Sequence, residues 1–220
     1  MSRPRRPTPA ALGLSAAEAA VFRKLTTPER IQAFVTALRT NFERGGDTLL
    51  SVRRVIARRH AHCIEAAFVA ACGLWLLGEP PLLMDLQAEG DSDHVVALFR
   101  RDGCWGAISK SNHVWLRWRD PVYRSPRELA MSYFHEYCAD ERKTLRTYSR
   151  PFDLSRLPTA MWITNSEECW EAGARLDDSR HYRLITRAQA RRLAPRDATE
   201  RRAGDLVQFE SRDRRTARKY

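Results

Sequence analysis

The chain lacks the features that mark several large protein classes. No apolar run reaches the ~18 residues that a membrane helix needs, and the longest, near residues 66–77, ends at Gly78. The opening residues 1–10 hold three Arg and three Pro, but no apolar stretch of a secretory leader follows them. The five cysteines cannot all pair and show no Cys-x-x-Cys spacing. This argues against a disulfide scaffold or zinc ribbon and fits a reducing cytoplasm. Lysine is scarce, at 4 against 34 Arg. No repeat of roughly 20–50 residues is visible, nor any recognition-helix or RNP motif.

What is present is enough for a folded domain. Apolar residues make up 43% of 220, with six Trp, so a sizeable core is expected. The net charge is +11, which invites a nucleic-acid partner. Its distribution weakens that idea. Residues 11–185 hold 24 basic and 22 acidic side chains, whereas residues 186–220 hold 11 and 5. The excess sits in the ends, where solvated charge explains it. Specific nucleic-acid binding is therefore not expected. The division that follows is a mobile extension over 1–15, one domain over 16–185, and a basic, partly helical extension over 186–220.

Local signals set the element order. Ser15 caps a helix over 16–24, and Thr27-Pro28 starts another over 28–42. Gly45-Gly46 breaks it, and Asp47 is read as the cap of a helix to about Arg58. A helix beginning at Cys63 is apolar nearly all round, which predicts a central, buried element. Gly78 and Pro80-Pro81 end it. Strands are read over 82–86, 94–99 and 105–109, with Asp102-Gly103 as a hairpin turn and a possible third hairpin strand over 115–118. Ser125-Pro126 caps a helix, 144–149 reads as a strand, Ser166 starts a helix, and two short helical pieces follow Thr186. Helices first, then a helix feeding an antiparallel meander, is the α+β class.

Chemistry concentrates around one cysteine. Cys63 stands in the first turn of the buried helix, where the dipole and free N–H groups favour a thiolate and can donate to an oxyanion. An inert buried thiol is the commonest fate of a free Cys, and Cys72, Cys104, Cys138 and Cys169 are read that way. A nucleophile needs a base, and His94 opens the first hairpin strand after an acidic loop. A two-residue turn at Asp102-Gly103 places Ser111 opposite His94 and Ser109 on the diagonal, both on the face of His94. Either could orient the imidazole, and Asn112 could do so across a bulge.

In order, five segments carry a resemblance. They are Asp47-Thr-Leu-Leu-Ser-Val-Arg-Arg-Val-Ile-Ala-Arg-Arg, Cys63-Ile-Glu-Ala-Ala-Phe-Val-Ala-Ala-Cys-Gly-Leu, Leu77-Gly-Glu-Pro-Pro-Leu-Leu-Met, and His94-Val-Val-Ala-Leu-Phe followed by Trp105-Gly-Ala-Ile-Ser. Together they resemble the core of the transglutaminase-like superfamily, within the papain-like cysteine-enzyme folds. The resemblance covers about a third of the chain. It implies Cys63 as nucleophile, His94 as base, a protein or peptide substrate with an accessible amide, and no cofactor or metal. Two departures stand out. Ser109 occupies the place of the family's orienting Asp, with Asp93 and Asn112 as possible substitutes. His60-Ala61-His62 precedes the cysteine where a Gly-containing turn is usual, and these His are positioned to line the cleft or lower the thiol pKa by their charge.

Rival readings remain. His60, His62, Cys63 and His94 suit zinc by ligand type, although four ligands at the usual spacings are not evident. A transglutaminase-like fold with a degraded triad would be a binding or scaffold module. Trp105, Trp115, Trp118 and Trp170 are read as core or cleft walls. The expectation is an α+β domain with a transglutaminase-like core, acting on amide bonds through a Cys thioester, hydrolysis favoured over crosslinking.

Overall fold

The computed structural model describes residues 6–210. The expected mobility of the first five and last ten residues lies outside the described residues. The described chain is α+β: nine short helices surround one antiparallel sheet and two two-stranded ribbons. Among the described residues no helix is long and apolar enough to cross a membrane.

Helix α1 (Ala16–Phe22) starts at a full capping box, Ser15 with Glu18. Helix α2 (Pro28–Ala37) starts at Thr27 with Pro28 in its first turn. It ends five residues before the expected 42, because Leu38 turns extended and strand β1 (Arg39–Thr40) pairs in parallel with β2 (His60–Ala61). Between them lies α3 (Val52–Arg58), capped by Ser51 and not by Asp47. The intervening N–H groups have other acceptors: Thr48 N–H donates to Glu43, Leu49 to Glu168 and Leu50 to Glu65. These contacts tie residues 48–50 to three separate parts of the molecule, and the helix starts only after them, at Ser51.

Helix α4 (Cys63–Leu76) is the centre of the molecule. Its apolar residues are buried on all sides, by α2 and α3 and by the sheet. Phe68 meets Trp162 with ring centroids 5.9 Å apart, and Gly73 lets Ile31 approach. Strands β3 (Leu82–Ala88), β4 (His94–Arg101), β5 (Cys104–Ile108) and β6 (Arg119–Tyr123) follow in antiparallel order. Asp102 and Gly103 turn the β4–β5 hairpin with φ of 52° and 82°, the left-handed pair that Asp-Gly favours. The strand over 115–118 does not form. A 3-10 turn, Val114–Leu116, leads into β6 instead, which occupies a sheet edge where Pro121 can be tolerated.

Helix α5 (Pro126–Met131) covers the second face of the sheet with Leu129, Tyr133, Phe134 and Tyr137. The ribbon β7 (Cys138–Ala139) and β8 (Arg142–Lys143) precedes β9 (Leu145–Ser149), which pairs with β3. Strand β10 (Phe152–Asp153) also pairs with β3, then come α6 (Thr159–Trp162) and α7 (Trp170–Asp177). The expected start at Ser166 is shifted, since Cys169 N–H donates to the Leu49 carbonyl oxygen and the helix begins after it. Strand β11 (His181–Arg183) closes the far edge on β9, and α8 (Arg187–Ala190) and α9 (Ala198–Gly204) end the described chain.

Both expected extensions touch the domain. Leu12 and Leu14 are buried in the helical core. After α9, Val207 bridges His113, and Asn112 holds both main-chain groups of Phe209, at 2.9 Å each.

One side chain fixes where β5 ends. Gln32 of α2, 9% exposed, accepts from Ser109 N–H at 2.9 Å and donates to the Ser109 carbonyl oxygen at 2.8 Å. The ladder runs from Arg101↔Cys104 to Ala97↔Ile108 and stops there. Gln32→Ala leaves two buried main-chain groups unpaired. At about 1–3 kcal/mol each, a loss of roughly 3 kcal/mol is expected in a urea titration.

Candidate active site

The entry to α4 is set by the β1–β2 pair, which holds the chain extended up to His62. Cys63 then falls at the first helical position, half-buried, with Sγ 4.0 Å from the carbonyl oxygen of Asp93. Burial would raise the thiol pKa. Hydrogen bonds with His62 and His94, and the charge of both rings, overcome it and bring the thiol down to about 5. Cys72, mid-helix and fully buried, is pushed upward by burial, and Cys169 rises to about 12 for the same reason.

His94 opens β4, opposite Leu86 of β3, and is 5% exposed. Its Nε2 lies 2.6 Å from Ser109 Oγ and 3.0 Å from the Leu116 carbonyl oxygen. A carbonyl oxygen only accepts, so Nε2 carries a hydrogen. Ser109 Oγ itself donates to Leu116 at 2.9 Å, which leaves its lone pairs for His94. Nδ1 is then the nitrogen available to the sulfur. Tyr133 and Tyr137 flank the ring edge-on, each at 6.5 Å between centroids, and Tyr137 OH donates to the Ser92 carbonyl oxygen ahead of it.

The orienting partner is therefore Ser109 together with a main-chain carbonyl. Ser111 is not opposite His94, because Gln32 takes the Ser109 backbone and β5 leaves the ladder; its Oγ accepts from His113 N–H. Asn112 lies on the cleft but holds Phe209. Asp93 contributes its carbonyl oxygen near the sulfur, while its carboxylate accepts from Ala88 N–H at 2.9 Å. Trp105 does not reach the cleft: it packs on the second face of the sheet, under Arg100 at 5.0 Å. Trp118 stacks on Phe99 at 5.1 Å, and Trp115 and Trp170 line the cleft. Among the described residues no three His, Cys, Asp or Glu are arranged to hold a metal ion.

With the Leu116 carbonyl still in place, Ser109→Ala removes one hydrogen bond to a ring that becomes charged. That is about 1.5–3 kcal/mol, so kcat/KM should fall by roughly 10–100-fold. Loss of an orienting carboxylate in a serine protease costs far more, ~10⁴.

A second imidazole has a stronger partner. His62 Nε2 lies 3.0 Å from the Thr48 carbonyl oxygen, 3.3 Å from Glu65 Oε1 and 3.6 Å from Glu43 Oε1. All three accept, so Nε2 donates. Burial opposes the charge on His62, but the bonds with Cys63 and Glu65, and their negative charge, raise its pKa well above the usual value. Glu65 is completely buried in the first turn of α4. It accepts from Thr48 Oγ1 at 2.8 Å, Leu50 N–H at 2.9 Å, His62 N–H at 2.9 Å and Asn41 Nδ2 at 3.1 Å. Burial would raise its pKa; His62 and these donors bring it down to about 2. Glu65 thus stabilises the fold above its ordinary value of 4.5, and this is lost as pH falls towards about 2. His62 contributes below 6.5 and loses its contribution as pH rises through its elevated value.

Glu65 and Gln32 had no place among the sequence candidates. The available signal for Glu65 was one acid in the first turn of an otherwise apolar helix, three residues after His62. Gln32 and the Leu116 carbonyl leave no local pattern.

His62, Cys63 and His94 line one open cleft of about 1520 Å³. One wall is α7, through Trp170, Gly173 and Asp177. The other is the C-terminal segment, through α9. No protein-family model matches the chain, and no curated protein matches it.

Proposed function

We propose that the protein is a cysteine-dependent acyl-transfer enzyme acting on amide bonds of a protein or peptide, with a transglutaminase-like, papain-like core. The observation that supports this best is Cys63 at a helix start between two imidazoles, its thiol pKa brought down to about 5 while the Nε2–H of His94 is tied to Ser109 and Leu116. The thiolate attacks the amide carbonyl carbon, and first-turn N–H groups of α4 take the developing oxyanion. The C–N bond breaks as His94 protonates the leaving amine, leaving a thioester on Cys63. Water then gives a proton to His94 and attacks the thioester, releasing a carboxylic acid and the thiolate. The cleft is wide and open, which favours water over a single amine as acceptor.

The alternative, a binding module on a degraded triad, is favoured by one observation only: Ser109 stands where a carboxylate would stabilise imidazolium. Trapping separates the two. The protein is quenched in acid during reaction with an activated peptide ester, and the Cys63 peptide is examined by mass spectrometry. The enzyme carries an acyl group on Cys63 that disappears as the ester is consumed. An unmodified Cys63 throughout, in protein that still binds the peptide, supports the module.

A further inference from the structure

Strand β5 ends at Ile108, yet the chain beyond it is extended again at His113, with φ −75° and ψ 120°. A strand edge that has left its ladder presents main-chain groups to whatever lies alongside. Here that is the chain's own C-terminal segment. Val207 bridges His113 in antiparallel fashion, and Gln208 N–H donates to the Asn112 carbonyl oxygen at 3.0 Å. The Asn112 side chain completes the pairing. Its Oδ1 accepts from Phe209 N–H and its Nδ2 donates to the Phe209 carbonyl oxygen, each at 2.9 Å. These three bonds all go to main-chain atoms, so they recognise an extended backbone whatever its sequence. Asn112 is 4% exposed, so its geometry is fixed before a partner arrives.

One side chain of the segment meets a second buried group. Lys110 is 2% exposed; its Nζ donates to the Leu38 carbonyl oxygen at 2.7 Å and lies 5.3 Å from the centre of the Phe209 ring. Burial, and then the charge of Arg117, lower its pKa to about 8. A buried ammonium is stabilised by an aromatic face, so this place selects an aromatic residue. The Gln208 side chain, at the exposed rim, meets Arg117 at 2.7 Å and the Thr36 carbonyl oxygen at 3.2 Å.

The segment is lightly held. Helix α9 ahead of it buries none of its side chains, and Leu206 is 56% exposed. That helix runs from the β7–β8 ribbon, where Arg201 pairs with Glu141 at 2.8 Å, to His113, whose Nδ1 donates to the Gly204 carbonyl oxygen at 2.9 Å. A segment that buries so little opens at low cost. Lys110, Asn112 and His113 line the same cleft as Cys63, and Asn112 follows by three residues the Ser109 that orients His94.

We infer that Lys110, Asn112 and His113 form a docking edge for an extended peptide with an aromatic residue, and that residues 207–209 occupy it as a tethered stand-in. The edge rests on the cleft being a peptide site, and it narrows that peptide to one with an aromatic side chain.

A fluorescein-labelled peptide, Asp-Leu-Val-Gln-Phe-Glu, which copies residues 205–210, tests this by anisotropy against the full-length protein. In the parent the tethered segment competes at high effective concentration. Gln208→Pro removes the N–H that Asn112 accepts, and Phe209→Ala removes the ring. The double variant should therefore bind the peptide at least ~10-fold more tightly than the parent does, with its unfolding temperature unchanged. Adding Asn112→Ala should weaken that binding at least ~10-fold. A peptide with Leu in place of Phe should bind several-fold more weakly, and Lys110→Met should erase this preference. Equal affinity of the parent and the double variant overturns the stand-in. No binding by the double variant, or binding indifferent to Asn112→Ala, overturns the edge. Equal binding of the Phe and Leu peptides overturns the aromatic preference. None of these measurements involves the thiol. A protein that binds the peptide at this edge and never carries an acyl group on Cys63 keeps the edge and loses the nucleophile.

Discussion

Cys63→Ala and His94→Gln should each lower amide turnover by at least ~10⁴-fold, and the double variant should lose little more. The non-additivity follows from the proposed mechanism: sulfur and ring would act as one unit, so removing either leaves nothing for the other to do. The substitutions are chosen to spare the fold. Cys63 is half-buried, and alanine vacates only the space of a sulfur facing the cleft. His94 is buried and its Nε2 donates to Leu116 and Ser109. Glutamine keeps an N–H donor for those acceptors but cannot shuttle a proton. Thermal unfolding within a few degrees of the parent, with turnover gone, is the expected pair of results. Full turnover in Cys63→Ala would place the chemistry elsewhere.

Glu65→Gln should have the largest effect on stability. The carboxylate accepts from three side-chain or main-chain donors besides His62, and an amide would turn an N–H towards them. It would also leave His62 buried with its charge uncompensated by its nearest acid. Breaking a buried pair of this kind costs about 3–5 kcal/mol, measurable by urea unfolding. Chemistry should respond as well. Without Glu65, His62 loses its hold on the proton, and the Cys63 thiol should move from about 5 towards its ordinary 9.0. A merely structural glutamate would lower stability and leave the pH dependence of alkylation where it is. In His62→Gln the thiol should shift in the same direction with a smaller loss of stability.

The Glu65–His62 pair changes the meaning of Ser109. Where a carboxylate behind the base would stabilise imidazolium, this chain places its buried carboxylate behind a different ring, on the other side of the sulfur. The negative charge favours a charged His62, and His62 favours the thiolate. The ring proposed to shuttle the proton is oriented by neutral groups, a hydroxyl and a carbonyl.

Much of this arrangement was legible in the residues. The apolar run after Cys63, broken only by Glu65, reads as a helix buried on all sides, and its first turn is where a thiolate is stabilised. Asp102-Gly103 dictated a two-residue turn, and counting back from it put Ser109 on the face of His94. Period-two counting could not show where the ladder would stop. That depends on Gln32, seventy-seven residues away in sequence, reaching the Ser109 backbone. The same limit applies to Leu116: its carbonyl points at His94 because the chain forms a 3-10 turn there and not a strand. Asp47 has the side chain of a helix cap, yet three acids from elsewhere capture the N–H groups that follow it. Long-range hydrogen bonds to main-chain groups leave no periodicity to read. A carboxylate in an apolar strand or helix does leave a trace, and Asp85 and Glu65 were both readable as that.

The central claim is that Cys63 is ionised because two imidazoles hold it so. Its most direct test is the rate of Cys63 alkylation by iodoacetamide, a neutral reagent, as a function of pH. The rate should rise with a midpoint near 5 and be flat through neutrality. A midpoint near 9.0 would mean an ordinary thiol with two histidines for neighbours.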